Sequence, residues 1–188
     1  MERRQFINRI AAVTAGLWAT RYAVAAPMPK LTTADIDDMR RNWQALARKD
    51  LELPSPAAAV TQSREEWKRQ LTPIQYDVLR EEGTERPFTS PLNEEKRPGI
   101  FACAGCGLPL FTSRMKYDSG TGWPSFVTSI PDHLASKQDR KLFLPRTEYH
   151  CVRCGGHHGH VFDDGPRPIG ERWCNNGVAL KFLPTRLA

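Results

Sequence analysis

The chain has 188 residues, a length that suits one domain large enough to bury a hydrophobic core. Its formal net charge of +6 would suit a nucleic-acid-binding protein, but residues 1–25 alone carry four arginines against Glu2. That segment therefore has a net charge of +3, and only +3 remains for the rest of the chain. Since the rest holds no long block of Lys or Arg, the composition argues against a nucleic-acid partner.

Residues 1–25 have the form of an export signal. The arginine pair of MERRQF precedes an apolar run, and the small-residue site AVA (23–25) follows it. The run is short for a membrane span, although an uncleaved N-terminal anchor is the alternative. The pair and the phenylalanine two positions later resemble the twin-arginine signal, which implies export of the folded protein to the periplasm. We expect cleavage after Ala25 rather than after Ala26, which would leave a proline at the new terminus.

Residues 26–60 are predicted to form a helical extension with linkers. Within 33–49 the apolar residues recur at spacings of three and four, which predicts an amphipathic helix. Prolines at positions 54 and 56 end that pattern.

The third segment, residues 61–188, is predicted to be the catalytic domain, and it opens with two further helices. The sequence SREE has the form of a capping box that begins at Ser63. Thr72-Pro73 places a proline at the first helical position of the next helix, which we expect to end at Gly83.

From residue 98 onward the sequence predicts β-strands. Short apolar or aromatic pieces are separated by Gly, Pro, Asn and Asp, a pattern typical of short antiparallel strands. The pieces are GIFAC, LPLF, WPSFVTSI, KLFLPRTEYHCV, HVFDDG and RWCNNGVALKFL. We therefore expect a mainly β fold: a compact antiparallel β core of two small sheets, with N-terminal helices.

Four of the five cysteines form two Cys-x-x-Cys pairs, CAGCG (103–107) and CVRCG (151–155). The glycine after each pair accepts a backbone conformation that lets amides point at the sulfurs. Four sulfurs suit a tetrahedral Zn²⁺, so we predict one structural zinc ion per chain, held by Cys103, Cys106, Cys151 and Cys154. Two structural disulfides are the main alternative, because an exported protein enters an oxidising compartment.

The fifth cysteine belongs to GERWCNN (170–176), one of three distinctive segments with GTGWPSF (120–126) and HHGHVFDDGP (157–166). Together with LTPIQYDVLREEGTERPF (71–88), these segments resemble the B-type methionine sulfoxide reductases in their zinc-bearing form. The resemblance extends from about residue 71 to about residue 182. It implies a β-rich fold, zinc at the four cysteines, and reduction of the R epimer of oxidised methionine in proteins.

The resemblance also assigns the site residues by position. Cys174 matches the family's catalytic cysteine, and Trp123 matches the tryptophan that lines the pocket for the substrate's methyl group. The remaining matches are two active-site histidines, an asparagine and an arginine: His157, His160, Asn176 and Arg172.

Elementary chemistry agrees with these assignments. A sulfoxide sulfur is electrophilic only while its oxygen is being protonated, so the reaction needs a thiolate and a proton donor. We expect Arg172 and a histidine to favour ionisation of Cys174. His160, or His157 through a water molecule, would protonate the leaving oxygen, and Cys174 would remain as a sulfenic acid.

The sequence departs from the family pattern at several positions. Thr121 stands where many members carry a resolving cysteine, so we expect recycling by an external thioredoxin-like protein or small thiol. His158 lies where the family usually has an apolar residue, and Trp173 and Gly177 also replace the usual residues.

We expect the reductase to be a monomer. Two other classes of protein compete with this interpretation. The first is a Cys₄ zinc module that binds a partner without catalysis. The second is a thiol–disulfide exchange protein that uses one Cys-x-x-Cys pair. A second metal site is a further alternative, in which His158 and His160 share one strand face with His157 nearby.

Overall fold

The computed structural model describes residues 30–139 and 146–186, and the export signal predicted at residues 1–25 lies outside them. Within these ranges the chain first forms three α-helices: α1 (Thr33–Arg41), α2 (Arg64–Gln70) and α3 (Pro73–Glu81). Nine β-strands follow in the same ranges: β1 (Gly99–Cys103), β2 (Pro109–Thr112), β3 (Lys116–Tyr117), β4 (Ser125–Phe126), β5 (Leu134–Asp139), β6 (Arg146–Cys151), β7 (His157–Phe162), β8 (Arg172–Asn175) and β9 (Leu180–Pro184). None of the described helices has the length and apolar character needed to span a membrane.

All three helices begin with a capping box, which satisfies amides that have no partner inside the helix. The paired residues are Thr32 with Asp35, Ser63 with Glu66, and Thr72 with Gln75. The predicted starts of all three helices are therefore confirmed.

The helix ends differ from the predictions. The sequence predicts that α1 continues to residue 49, but it ends at Arg41. Asn42 leaves the helical conformation and donates from its side chain to Asp38, 2.5 Å away, and Trp43–Leu46 then form a tighter 3₁₀ turn. An asparagine that bonds locally in this way competes with helix continuation. The third helix ends at Glu81, two residues before the predicted Gly83, because Glu82 adopts the left-handed conformation.

The strands form two antiparallel sheets, which confirms the predicted fold class. The smaller sheet has the order β2-β1-β9, and the larger has the order β3-β4-β8-β7-β6-β5. A cluster of buried aromatic rings lies between them. Phe111 of the small sheet stacks on Phe126 of the large sheet with ring centroids 4.0 Å apart, and Phe101 meets Phe126 edge-on at 5.2 Å. Burial of each ring stabilises the fold by about 1.5–3 kcal/mol.

Strand β5 was not predicted from the sequence. It reads LASKQD, and three of its residues are exposed at the edge of the large sheet. The piece has no alternating apolar pattern, because Ser136, Lys137 and Gln138 are three consecutive polar residues that lie exposed at the edge of the sheet. Conversely, only two residues of the predicted piece WPSFVTSI are in a strand, Ser125 and Phe126.

The close approach of β7 to β8 leaves no room for a side chain at Gly159. A Cβ added there would overlap the carbonyl oxygen of Cys174. We therefore expect Gly159→Ala to force the two strands apart and to lower the free energy of unfolding by about 1–3 kcal/mol. Urea denaturation followed by tryptophan fluorescence measures this change.

Gly105→Ala is the matched control, because the nearest atom to a Cβ at Gly105 is in Trp67 at an ordinary contact distance of 3.5 Å. Its stability should stay close to that of the wild type. Wild-type stability in Gly159→Ala would contradict the packing described here.

Candidate active site

The pairing of four strands brings Cys174 and His160 side by side. Cys174 of β8 pairs with Ser125 of β4 on one side and with His160 of β7 on the other, and His160 pairs with Glu148 of β6. Directly opposite residues of an antiparallel sheet project from the same face. These four residues therefore form one row across the large sheet, and we call the face that carries them the site face.

A β-bulge in β7 adds His157 to the site face. His157 and His160 are three positions apart, and a regular strand would project them from opposite faces. The register shifts between Tyr149 and His150, so that His157 pairs with His150, and the rings of His157 and His160 lie 5.6 Å apart. The extra residue of a bulge changes the alternation of side chains in this way.

His158, in contrast, is completely buried beside Asn175, the neighbour of Cys174 whose side chain projects from the opposite face of β8. The expectation that His158 shares a strand face with His160 is therefore wrong. The bulge, which is a feature of strand pairing, is not visible in the sequence alone. Burial lowers the pKa of His158 to about 3, so its ring is neutral near pH 7.

Both site-face histidines contact buried carboxylates. Nδ1 of His157 lies 2.8 Å from Oε1 of Glu148, and Nε2 of His160 lies 3.0 Å from Oδ2 of Asp139. Arg146 donates to the same Asp139 oxygen at 2.6 Å. Burial lowers the pKa of His160, and its hydrogen bond with Asp139 opposes that effect. The carboxylates fix the orientation of the two rings.

Arg172 lowers the pKa of Cys174, but burial has the larger effect. Burial raises the pKa of Cys174 above its ordinary value, while Arg172 and the Thr121 hydroxyl lower it. Arg172 is itself held by two hydrogen bonds to Asp164, at 2.8 and 2.9 Å, and its guanidinium lies over the ring of Phe162 at 4.4 Å. The resting thiol is therefore less acidic than the sequence predicts, because a water-poor environment disfavours the thiolate.

A small pocket of about 130 Å³ opens onto Cys174. Four of the predicted site residues line it: Cys174, His160, Trp123 and Asn176. Arg146 lines it as well. His157 and Arg172 do not line it. His157 instead lies behind His160, and Arg172 is on the Cys174 strand with its guanidinium directed at Asp164.

Asn176 is held mainly by the backbone around it. Its Oδ1 accepts a hydrogen bond from the Glu85 amide at 3.0 Å, and its Nδ2 donates to the His158 carbonyl at 3.0 Å. The orientation of the side-chain amide is thus fixed, and one Nδ2 hydrogen remains for the pocket.

Several residues of the site are missing from the sequence-based prediction. Glu85 accepts from the Trp123 indole, Glu148 and Asp139 hold the histidines, and the buried Tyr149 hydroxyl donates to the Cys174 carbonyl at 3.0 Å. The sequence offers one signal for these residues, which is Glu148 inside the apolar piece TEYHCV. A charged residue in a buried strand needs a partner, so Glu148 could have been predicted to hold another polar group.

The four remaining cysteines lie together, as predicted. Their sulfurs are all within 4.8 Å of one another, with 3.6 Å between Cys103 and Cys154 and 3.5 Å between Cys106 and Cys151. Four thiolates around one tetrahedral zinc ion are expected to lie about 3.8 Å apart. The cluster could therefore hold a metal ion, and its spacing fits a structural zinc.

The helices cover this cluster through hydrogen bonds to its turns. Gln70 of α2 donates to the Gly105 carbonyl at 2.5 Å, and Arg80 of α3 donates to the Cys154 carbonyl at 2.8 Å. The two cysteine turns are thus tied to the N-terminal helices as well as to the sheets.

Comparison with known proteins gives a consistent result. The family model described as "SelR domain" matches residues 71–184, which include every predicted site residue. A protein of Methanosarcina barkeri named peptide methionine sulfoxide reductase MsrB is 54% identical over 125 residues, which are 66% of this chain and 88% of that protein. A protein of the same name from Leifsonia xyli is 51% identical over 127 residues, 66% of this chain and 91% of its own. The chloroplastic peptide methionine sulfoxide reductase B1 of Oryza sativa is 48% identical over 132 residues, 70% of this chain and 62% of its own.

The opposing effects of burial and Arg172 on Cys174 lead to a testable change in reactivity. Arg172→Ala removes the positive charge that lowers the thiol pKa, so the pKa of Cys174 should rise further above its ordinary value. We expect the pH midpoint of Cys174 alkylation by iodoacetamide to move upward and the rate at pH 7 to fall roughly three- to tenfold.

The exposed Arg167 supplies the matched control, because Arg167→Ala removes the same charge at a distance from the thiol. Its alkylation profile should stay unchanged. A downward shift of the midpoint in Arg172→Ala would contradict the assignment of Arg172 as the group that opposes burial.

Proposed function

The chain belongs to the SelR-domain family, and we propose that it reduces the R epimer of methionine sulfoxide in proteins. The observation that carries this proposal is the direct cross-strand pairing of Cys174 with His160 beside a pocket that Trp123 also lines. A nucleophile, a proton donor and an apolar surface are thus brought together, which is the set that sulfoxide reduction requires.

In the proposed step, the Cys174 thiolate attacks the sulfoxide sulfur while the sulfoxide oxygen is protonated. A bond forms between the two sulfurs, and the S–O bond of the substrate breaks as the protonated oxygen leaves as water. Water then attacks the Cys174 sulfur, the bond between the two sulfurs breaks, and Cys174 remains as a sulfenic acid. The substrate sulfur gains two electrons and becomes the thioether of methionine, and the cysteine sulfur loses two. Trp123 would offer its ring to the S-methyl group and so direct the substrate sulfur towards Cys174.

His160 is the better placed of the two histidines to supply the proton. It lines the pocket and stands opposite Cys174, whereas His157 lies behind it against Glu148. Asp139 holds the His160 ring and favours its protonated form, which opposes the effect of burial. His157 would then support His160 by packing against its ring.

Regeneration of the thiol would need an outside reductant. Thr121 occupies the position of the resolving cysteine. The other four cysteines are gathered in the cluster, so the chain has no further thiol for this purpose. A thioredoxin-like protein or a small thiol would attack the sulfenic acid of Cys174, release its oxygen as water and form a mixed disulfide. A second thiol would then displace the Cys174 thiol and leave with the first as an oxidised disulfide.

The four-cysteine cluster would hold one structural zinc ion. Cys103, Cys106, Cys151 and Cys154 supply four sulfurs at tetrahedral spacing, so no position remains open for a substrate. The ion would stabilise the two turns and take no part in the reaction.

The test of the proposed function compares the wild type with Cys174→Ser on the two epimers of N-acetylated methionine sulfoxide, with dithiothreitol as reductant. We expect the wild type to reduce the R epimer at least about a hundredfold faster than the S epimer. Cys174→Ser should have no measurable activity, because its hydroxyl is a far weaker nucleophile. Without reductant, mass spectrometry of the wild type after one turnover should show one added oxygen atom on Cys174.

Metal analysis is the control for folding in the same experiment. Both proteins should contain one zinc ion per chain, so that loss of activity in Cys174→Ser cannot be attributed to loss of the metal. An inactive wild type with one zinc per chain would favour the non-catalytic zinc module, and an intramolecular disulfide of Cys174 would overturn the external recycling.

We also propose that the chain is exported to the periplasm by the twin-arginine route, on the strength of the MERRQF and AVA segments. A reporter that is active only after folded export, fused behind residues 1–29, should reach the periplasm. Replacement of both Arg3 and Arg4 by Lys keeps the charge and should abolish that export, whereas retention of export in this variant would contradict the route.

A further inference from the structure

We infer that Glu85 is a positioning residue that holds Trp123 and Asn176 in their places around Cys174. The inference rests on the proposed function and extends it to the specificity of the pocket. Glu85 follows Thr84, which lines the pocket, and it is itself buried with 4% of its surface exposed. The proposed thiol chemistry assigns no role to Glu85, so its contacts need a separate explanation.

The backbone of Glu85 contacts both pocket residues. Its N–H donates to Oδ1 of Asn176 at 3.0 Å, and its carbonyl accepts from the indole nitrogen of Trp123 at 3.2 Å. One peptide segment thus fixes the tilt of the indole ring and the orientation of the asparagine amide. Any displacement of this segment would move both residues together.

The side chain of Glu85 anchors that segment to the strand that carries the nucleophile. Its carboxylate accepts hydrogen bonds from the amides of Gly177 and Val178, the latter at 3.0 Å. Gly177 and Val178 lie in the turn after β8, three and four positions after Cys174. Asn176 lies between them and the strand, so the carboxylate and the Glu85 amide bind adjacent parts of one turn.

The anchor is unusual because it is a buried carboxylate held by amides. Among residues 30–139 and 146–186, no Lys, Arg or His side chain forms an ion pair with Glu85. Burial accordingly raises the pKa of Glu85, and the two amide hydrogen bonds oppose the rise. A buried carboxylate without a cation is unfavourable for stability, and this suggests that its value lies in positioning.

The space around this anchor is tightly filled. A Cβ at Gly177 would overlap the side chain of Ser90 and would lie 3.2 Å from Oε1 of Glu85. The turn after β8 therefore packs closely against Ser90 and the Glu85 carboxylate, which limits the freedom of both. Such close packing suits a pocket for a methyl group, since small displacements of a lining residue would change the shape of the pocket.

The test is a specificity ratio, which does not depend on how much of the enzyme is folded. Glu85→Gln keeps the size of the side chain but can accept through only one oxygen, so one of the two amides loses its partner. We expect the kcat/KM ratio of methionine sulfoxide to ethionine sulfoxide, both N-acetylated, to fall roughly threefold or more, because a displaced Trp123 distinguishes S-methyl from S-ethyl less well. KM for the methyl substrate should rise by more than kcat falls.

Glu81→Gln is the matched control, because Glu81 is exposed and pairs only with Arg64 among its described contacts. It should leave the ratio and KM unchanged. If Glu85→Gln gives no folded protein, the same ratio is measured in Glu85→Asp, whose shorter carboxylate should reach one amide at most and lower the ratio similarly.

The outcomes separate this inference from the proposed function. A wild type that reduces neither sulfoxide would overturn the proposed function. A wild type that reduces both, together with a Glu85 variant that loses activity equally on the two substrates, would overturn the positioning role and leave Glu85 as a purely structural residue.

Discussion

The antiparallel pairing of β7 with β8 is the constraint on which the site depends. It sets His160 opposite Cys174, and the bulge in β7 then returns His157 to the same face. The pairing is possible only because Gly159 lets the two backbones approach closely. The distance between Cys174 and His160 is therefore set by backbone hydrogen bonds, which are less variable than contacts between flexible side chains.

Around this pairing, carboxylates organise the polar groups of the site. Glu148 and Asp139 orient the histidines, Asp164 holds Arg172, and Glu85 holds the turn that follows Cys174. Each carboxylate limits one polar group to one orientation, so the site has little to rearrange when a substrate enters. Burial keeps the pKa of the Cys174 thiol above its ordinary value in this environment, and Arg172 opposes that effect.

The sequence predicted those parts that depend on residue type and spacing. Two Cys-x-x-Cys pairs indicate a metal cluster wherever the fold brings them together, and capping boxes mark helix starts through local bonds. The parts it could not predict depend on tertiary structure. The bulge that separates His158 from His160 is a property of strand register, and the raised pKa of Cys174 is a property of burial. Glu85 makes its carboxylate contacts only when residues about ninety positions away fold against it.

The hydrogen bonds from α2 and α3 to the cysteine turns have a consequence for the lifetime of a bound ion. Gln70 and Arg80 donate to carbonyls on both turns, so α2 and α3 cover part of the cluster, while Cys106 stays partly exposed. A metal ion held there would be released faster when those helices detach, and the rate of metal exchange would then depend on local opening of the fold.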